Sequence, residues 1–196
     1  MKLTLRKYWI FDLDGTLTRP VHDFEHIRGE LGLHPDADIL GTLADLPEPQ
    51  RSAQFARLDE LELYYASKAE AAISVNEVLQ ALAERECRMG ILTRNNQPVA
   101  LRSLEAIGAA HYFSPDDVLG RDEARPKPDP HGIEQLLTRW HADPGQAVMV
   151  GDFRYDLEAG RACGVATVFV DHGVHPGWPE LTDVRVTCMS QLLQLI

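Results

Sequence analysis

A chain of 196 residues, 44% apolar and 25% charged, is long enough for one domain with a full core, or for a core domain carrying a small insert. A net charge of −11 disfavours a nucleic-acid partner, and no apolar run is long enough to span a membrane. The N-terminal Lys2, Arg6 and Lys7 are followed by Asp12 and Asp14 rather than by the apolar stretch of a signal peptide, and Cys87, Cys163 and Cys188 are scattered. The expectation is a cytoplasmic protein with reduced thiols.

Tyr8, Trp9, Ile10 and Phe11 form a short apolar run, the pattern of a strand buried on both faces. It stops at Asp12-Leu13-Asp14-Gly15-Thr16. Alternation puts Asp12 and Asp14 on one side of an extended chain, with Leu13 turned away, and Gly15 permits a sharp turn. Two like charges this close are costly unless a cation sits between them or one is protonated. Asp and Gly are also ordinary turn residues. Five specified residues directly after a buried strand nevertheless point to chemistry at its carboxyl end, where ligands bind in open α/β sheets.

No strand pattern occurs from 17 to 73. Phe24, Ile27 and Leu31 recur at helical spacing and Gly32 marks a stop. The stretch 34–49, with three prolines, reads as looser, and 50–72 reads as a helix striped by Phe55, Leu58, Leu61 and Tyr65. An all-helical insert over 18–73 is therefore expected between the first and second strands, with 1–17 and 74–196 forming the core.

Ser74 and Glu77 read as a capping box for a helix lined by Val75, Val78, Leu79 and Leu82. A second strand over 88–92 ends at Thr93. Pro98, Leu101, Leu104 and Gly108 frame a helix, and 111–113 reads as a short third strand. Asp129-Pro130 should cap and open a helix bearing Ile133, Leu136, Leu137 and Trp140. A fourth strand over 147–150 leads to Gly151-Asp152, a helix runs from about 155 to Gly164, a fifth strand over 166–170 ends at Asp171, and 184–187 adds a sixth. This alternation predicts an α/β fold with a doubly wound parallel sheet. The polar strand ends at Asp12, Thr93, Asp152 and Asp171 should converge on one edge of it.

Asp12, Asp14, Asp152 and Asp156 make one carboxylate set. Mg²⁺ prefers oxygen ligands and takes only a few carboxylates from a protein. Asp152 and Asp156 are four apart, so one helix start can present both, although acids are favoured at any helix N-terminus. Lys127, between Pro126 and Pro128, supplies positive charge from a stiffened loop. Thr93 offers a hydroxyl and a backbone N–H to a phosphate oxygen. Taken alone, Lys127 reads as a surface loop lysine and Thr93 as a helix cap.

Together these clusters resemble, in order and over the whole chain, the haloacid dehalogenase superfamily in its phosphatase branch. Asp12-Leu13-Asp14-Gly15-Thr16 is similar to its first motif, Thr93 to its second and Lys127 in KPDP to its third. Gly151-Asp152-Phe153-Arg154-Tyr155-Asp156 with Ala159-Gly160 is similar to its fourth. The insert resembles the small helical cap of phosphoglycolate phosphatase-like and β-phosphoglucomutase-like members. The resemblance implies a Mg²⁺-dependent phosphatase of a small phosphorylated metabolite, working as a monomer or homodimer. Asp12 would be the nucleophile and Asp14 the acid/base. Asp12, the Asp14 carbonyl and Asp152 would bind the metal, with Asp156 in support. Thr93 and Lys127 would hold the phosphoryl oxygens. Arg94 would join them as a phosphate-binding cation, with substrate recognition or a surface position as the alternatives. Gly15, Thr16 and Gly151 would be structural, letting the backbone come close and fixing the loop. A phosphosugar mutase of the same superfamily and a catalytically silent binding module are the alternatives. Arg19, His22, Arg28, Arg51, Lys68, His172 and His175 read as solvated or loop residues rather than ligands.

Overall fold

The computed structural model describes residues 3–20 and 23–196. Its strands are β1 (Tyr8–Phe11), β2 (Arg88–Leu92), β3 (Val118–Leu119), β4 (Ala147–Gly151), β5 (Ala166–Val170) and β6 (Val184–Val186). They form one sheet in the order β3-β2-β1-β4-β5-β6, every neighbouring pair parallel. The helices are α1 (Phe24–Glu30), α2 (Ile39–Ala44), α3 (Gln50–Ala66), α4 (Val75–Glu84), α5 (Gln97–Ala106), α6 (His131–Trp140), α7 (Arg154–Ala162) and α8 (Met189–Leu193). Among the described residues, no helix is long and apolar enough to cross a membrane.

Alternation along the strands sorts the core into two layers. Trp9 and Phe11, with Met89, Ile91, Val148, Val150, Val168 and Val170, face α4, α5 and α8 through Val78, Leu79, Leu82, Leu104 and Leu192. Ile10, Leu92 and Met149 face the opposite way, onto Ile133, Leu136, Leu137 and Trp140 of α6 and Ala159 of α7. A sheet covered on both sides needs strands apolar at every position, which is why these runs show no polar alternation.

The strand order reverses beside β1, the place where open α/β sheets form ligand crevices. Register makes this local. Phe11 lies opposite Ile91 on β2 and Val150 on β4, and the Asp12 N–H continues the ladder to the Val150 carbonyl at 2.9 Å. Asp12, Thr93 and Asp152 therefore leave three adjacent strands at nearly one level.

Between β1 and β2, helices α1 to α3 carry a separate apolar cluster of Ile27, Leu31, Leu43, Leu58 and Leu61. Among the described residues this segment contains no strand, only an isolated antiparallel bridge between Thr18 and Ala71 where the chain leaves and re-enters the sheet domain. The stretch expected to be loose contains α2, whose first turn is capped by the Asp38 carboxylate accepting from Gly41 N–H at 2.9 Å. The third helix stops at Ala66 rather than at 72.

Three further local expectations are corrected. Residues Ala110–Tyr112 form a 3-10 turn closed by local bonds such as Tyr112 N–H to the Ala109 carbonyl, with Phe113 buried as an anchor, and the third strand is Val118–Leu119. Ser74 sits in the left-handed region at φ 65 and makes no side-chain cap, so the expected capping box does not form. The sixth helix begins one residue later than expected: Pro130 occupies the cap position, while the Asp129 carboxylate accepts from His131 N–H at 3.0 Å.

Candidate active site

Four segments meet at the carboxyl end of the sheet. Lys127 is 4% exposed, and its Nζ lies 2.5 Å from Asp12 Oδ1 and 2.6 Å from Asp156 Oδ1. Oxygens of Asp12, Asp152 and Asp156 all fall within 4.8 Å of one another. The structure thus brings Asp12, Lys127, Asp152 and Asp156 together. Asp156 occupies the first turn of α7, where its Oδ2 accepts from Phe153 N–H at 3.0 Å. The same carboxylate thereby caps the helix and answers the lysine.

Small residues make this crowding feasible. Gly15 has φ +82, and a Cβ there would run into the Asp152 carboxylate. A Cβ on Gly151 would occupy the space of the Asp156 carboxylate. Thr16, wholly buried, donates from Oγ1 to Asp12 Oδ2 at 3.4 Å, and the N–H groups of Thr16, Leu17 and Thr18 all turn back to the Leu13 carbonyl. Buried Leu13 anchors this turn in the core, so the two flanking aspartates face the crevice.

Thr93 lies at the crevice, but its N–H is taken by the Leu119 carbonyl at 3.0 Å in the β2–β3 ladder. Only its hydroxyl is left to reach a ligand, and that oxygen also accepts from Asn95 N–H at 3.2 Å. Arg94 lines the cavity with its guanidinium turned to Asp38 Oδ1, 2.5 Å away, and over the Tyr155 ring, 5.0 Å from the centroid. Asp171, the remaining polar strand end, serves the sheet instead: its Oδ2 accepts from Arg185 Nε at 2.8 Å.

Two contacts to the first loop had no signal in spacing or pattern. Buried Asn95 donates from Nδ2 to Asp14 Oδ2 at 2.6 Å. His172, read from sequence as a loop residue, donates from Nε2 to the Gly15 carbonyl at 2.5 Å. Arg19 pairs with Glu70 and Arg51 with Glu48 at the surface, and Lys68 lies over the Tyr64 ring. Arg28 and His175 line the cavity, and His22 lies outside the described residues.

The electrostatics follow from burying one ammonium among several carboxylates. Burial raises the Asp12 carboxyl to about 7, against the pull of Lys127 and with the Asp156 and Asp14 charges adding to it. Burial, then the Asp12 and Asp156 charges, raise Asp152 to about 8. Burial alone would lower Lys127, but Asp12 and Asp156 hold it above the ordinary lysine range. The cation is over-served and the acids are under-compensated. An all-oxygen donor set of this charge fits a hard divalent cation such as Mg²⁺.

Residues 9–170 match the family profile described as haloacid dehalogenase-like hydrolase. The chain is 31% identical over 210 residues to the pyrophosphatase PpaX of Listeria monocytogenes, covering 95% of this chain and 94% of that protein. It is 35% identical over 195 residues to the phosphoglycolate phosphatase of Rhodospirillum rubrum, covering 84% of this chain and 79% of that protein. A hydrolase from Pseudomonas syringae shares the fold, with a TM-score of 0.80 at 20% identity over 97% of this chain and 99% of that one.

Raised carboxylates have a consequence for stability. The folded, metal-free protein holds protons on Asp12 and Asp152 that the unfolded chain has released, so stability falls as pH climbs from 3.8 towards about 8. The thermal midpoint of metal-free protein should drop across the upper part of that window, and saturating Mg²⁺ should suppress the drop. Asp152→Asn should show a shallower drop without metal. Scanning calorimetry checks this; a midpoint that rises with pH in metal-free protein would contradict it.

Proposed function

The chain belongs to the haloacid dehalogenase-like hydrolase family, and from that premise we propose that it is a Mg²⁺-dependent phosphatase hydrolysing a small phosphorylated metabolite. The observation that carries the proposal is the position of Asp12: a carboxylate at a strand end, 2.5 Å from a buried ammonium and grouped with Asp152 and Asp156. The side chains of Asp12 and Asp152 and the Asp14 carbonyl would hold Mg²⁺, with Asp156 in support. When bound, the ion supplies positive charge against the phosphoryl oxygens and the acids.

Asp12 attacks phosphorus, and the bond to the leaving oxygen breaks as Asp14 gives that oxygen a proton. Water then attacks the aspartyl-phosphate, Asp14 takes the water's proton, and inorganic phosphate leaves with Asp12 restored. Dividing the reaction in this way replaces one difficult displacement by two easier ones. Lys127 and the Thr93 hydroxyl face the phosphoryl oxygens as charge spreads over them. Asn95 fixes the Asp14 carboxylate from the side of the β2 loop, His172 holds the backbone at Gly15, and the Thr16 hydroxyl holds the Asp12 carboxylate.

Phosphate release from phosphomonoesters should require Mg²⁺, and Asp12→Asn should lower it about a thousandfold or more. Equal turnover in Asp12→Asn would remove that residue from the mechanism. Conversion of a sugar phosphate to its isomer without free phosphate would indicate the mutase instead. Asn95→Asp places a second carboxylate against Asp14 and should move the pH profile of turnover to the alkaline side. An unmoved profile in a folded variant would show that Asn95 does not position the acid/base.

A further inference from the structure

The cavity over Asp12 has a volume of about 510 Å³, much more than a phosphoryl group fills, so most of it serves the group to which the phosphate is attached. Two features of its wall extend beyond the groups that serve the phosphoryl chemistry. The first is aromatic. Phe153, directly after Asp152, lines the cavity and is 37% exposed. Its ring stands nearly perpendicular to those of Tyr155 (4.9 Å, 86°) and Trp178 (5.6 Å, 75°) and steeply tilted to that of His175 (5.2 Å, 66°). Trp178 in turn packs at 5.3 Å against buried Phe169 on β5, which ties the cluster to the sheet. A half-exposed ring whose orientation is already fixed stacks a flat ligand with little further loss of freedom.

The second feature is charge. Besides the four aspartates and the lysine of the site, Asp36, Asp38 and Glu62 line the cavity with Arg28 and Arg94. Each of those bases already has partners. Arg28 donates to the Ala37 and Phe24 carbonyls, Arg94 pairs with Asp38, and Lys127 lies between Asp12 and Asp156. Arg121 answers Glu62 from outside the cavity, at 2.8 Å. On the phosphatase reading Lys127, and a divalent cation when bound, would serve the phosphoryl group. A leaving group with its own negative charge would meet Asp36, Asp38 and Glu62, with Arg94 held on Asp38 and Arg28 on two carbonyls.

Building on the phosphatase reading, we propose that the leaving group is a planar ring system without negative charge, stacked at the Phe153 cluster, with nucleoside monophosphates as the substrate class. This sets the chain apart from the two relatives described above, since pyrophosphate and phosphoglycolate both carry a second anionic group beside the phosphoryl group to be removed.

The test compares kcat/KM for adenosine 5′-monophosphate with that for ribose 5-phosphate, which keeps the phosphorylated alcohol and lacks the ring. Phosphoglycolate is compared with glycerol 3-phosphate for the effect of charge. The nucleotide should be preferred about fivefold or more, the worth of one stacked base, and phosphoglycolate should be the poorer of its pair. Phe153→Leu, which keeps an apolar side chain, should bring the nucleotide-to-ribose phosphate ratio down towards one. A ratio near one in the native protein overturns the proposal and leaves the phosphatase reading standing, as does a native ratio retained in both Phe153→Leu and Phe153→Ala. Absence of phosphate release from all four esters overturns both.

Discussion

The site depends on one ammonium group buried where three strands end. Lys127 satisfies Asp12 and Asp156 at once, and both carboxylates are largely buried. Taking such charges out of water costs several kcal/mol per ion, roughly, and is repaid only when partners are close and well placed. Much of the surrounding sequence answers that requirement. Parallel β1 and β4 bring Asp12 level with the chain leading to Asp152. The start of α7 presents Asp156, and Gly15 and Gly151 leave room for the carboxylates. The imbalance that persists, one lysine for three clustered acids, is what fits the site to the divalent cation proposed above.

The helical insert meets the sheet domain differently. Its own contacts are apolar, through Leu43, Leu58 and their neighbours, and besides Ala69 packed into the core, ion pairs join it to the sheet domain. Arg121 joins Asp59 and Glu62, one turn apart on α3, and Arg94 joins Asp38 at the start of α2. Glu62 and Arg121 are both nearly buried, so this contact is firm, while the Asp38–Arg94 pair is half open to water. Polar joints of this kind can be replaced by solvent.

Much of this was legible in the residues. A run such as Tyr8–Phe11 has few ways to satisfy both its backbone and its side chains except as a central strand, and the abrupt change to Asp12 then marks the crevice. Features decided by tertiary pairing were not legible. Val118–Leu119 is a strand only because β2 lies beside it, and His111 and Tyr112 lie in a local turn instead. Whether the Thr93 N–H is open to a ligand depends on how far the β2–β3 ladder runs. Ser74 has the composition of a cap but a left-handed backbone imposed by the chain's return from the insert. Asn95 and His172 reach the first loop from 81 and 157 positions away, and no local pattern encodes such contacts.

The central claim is that Asp12 takes the phosphoryl group. The most direct measurement is a rapid quench of the protein with a turned-over phosphomonoester carrying labelled phosphate, followed by peptide mapping. The account predicts acid-stable, hydroxylamine-labile label on the peptide containing Asp12, formed only when Mg²⁺ is present. Label on another residue, or full Mg²⁺-dependent turnover with Asp12 never labelled, would contradict it.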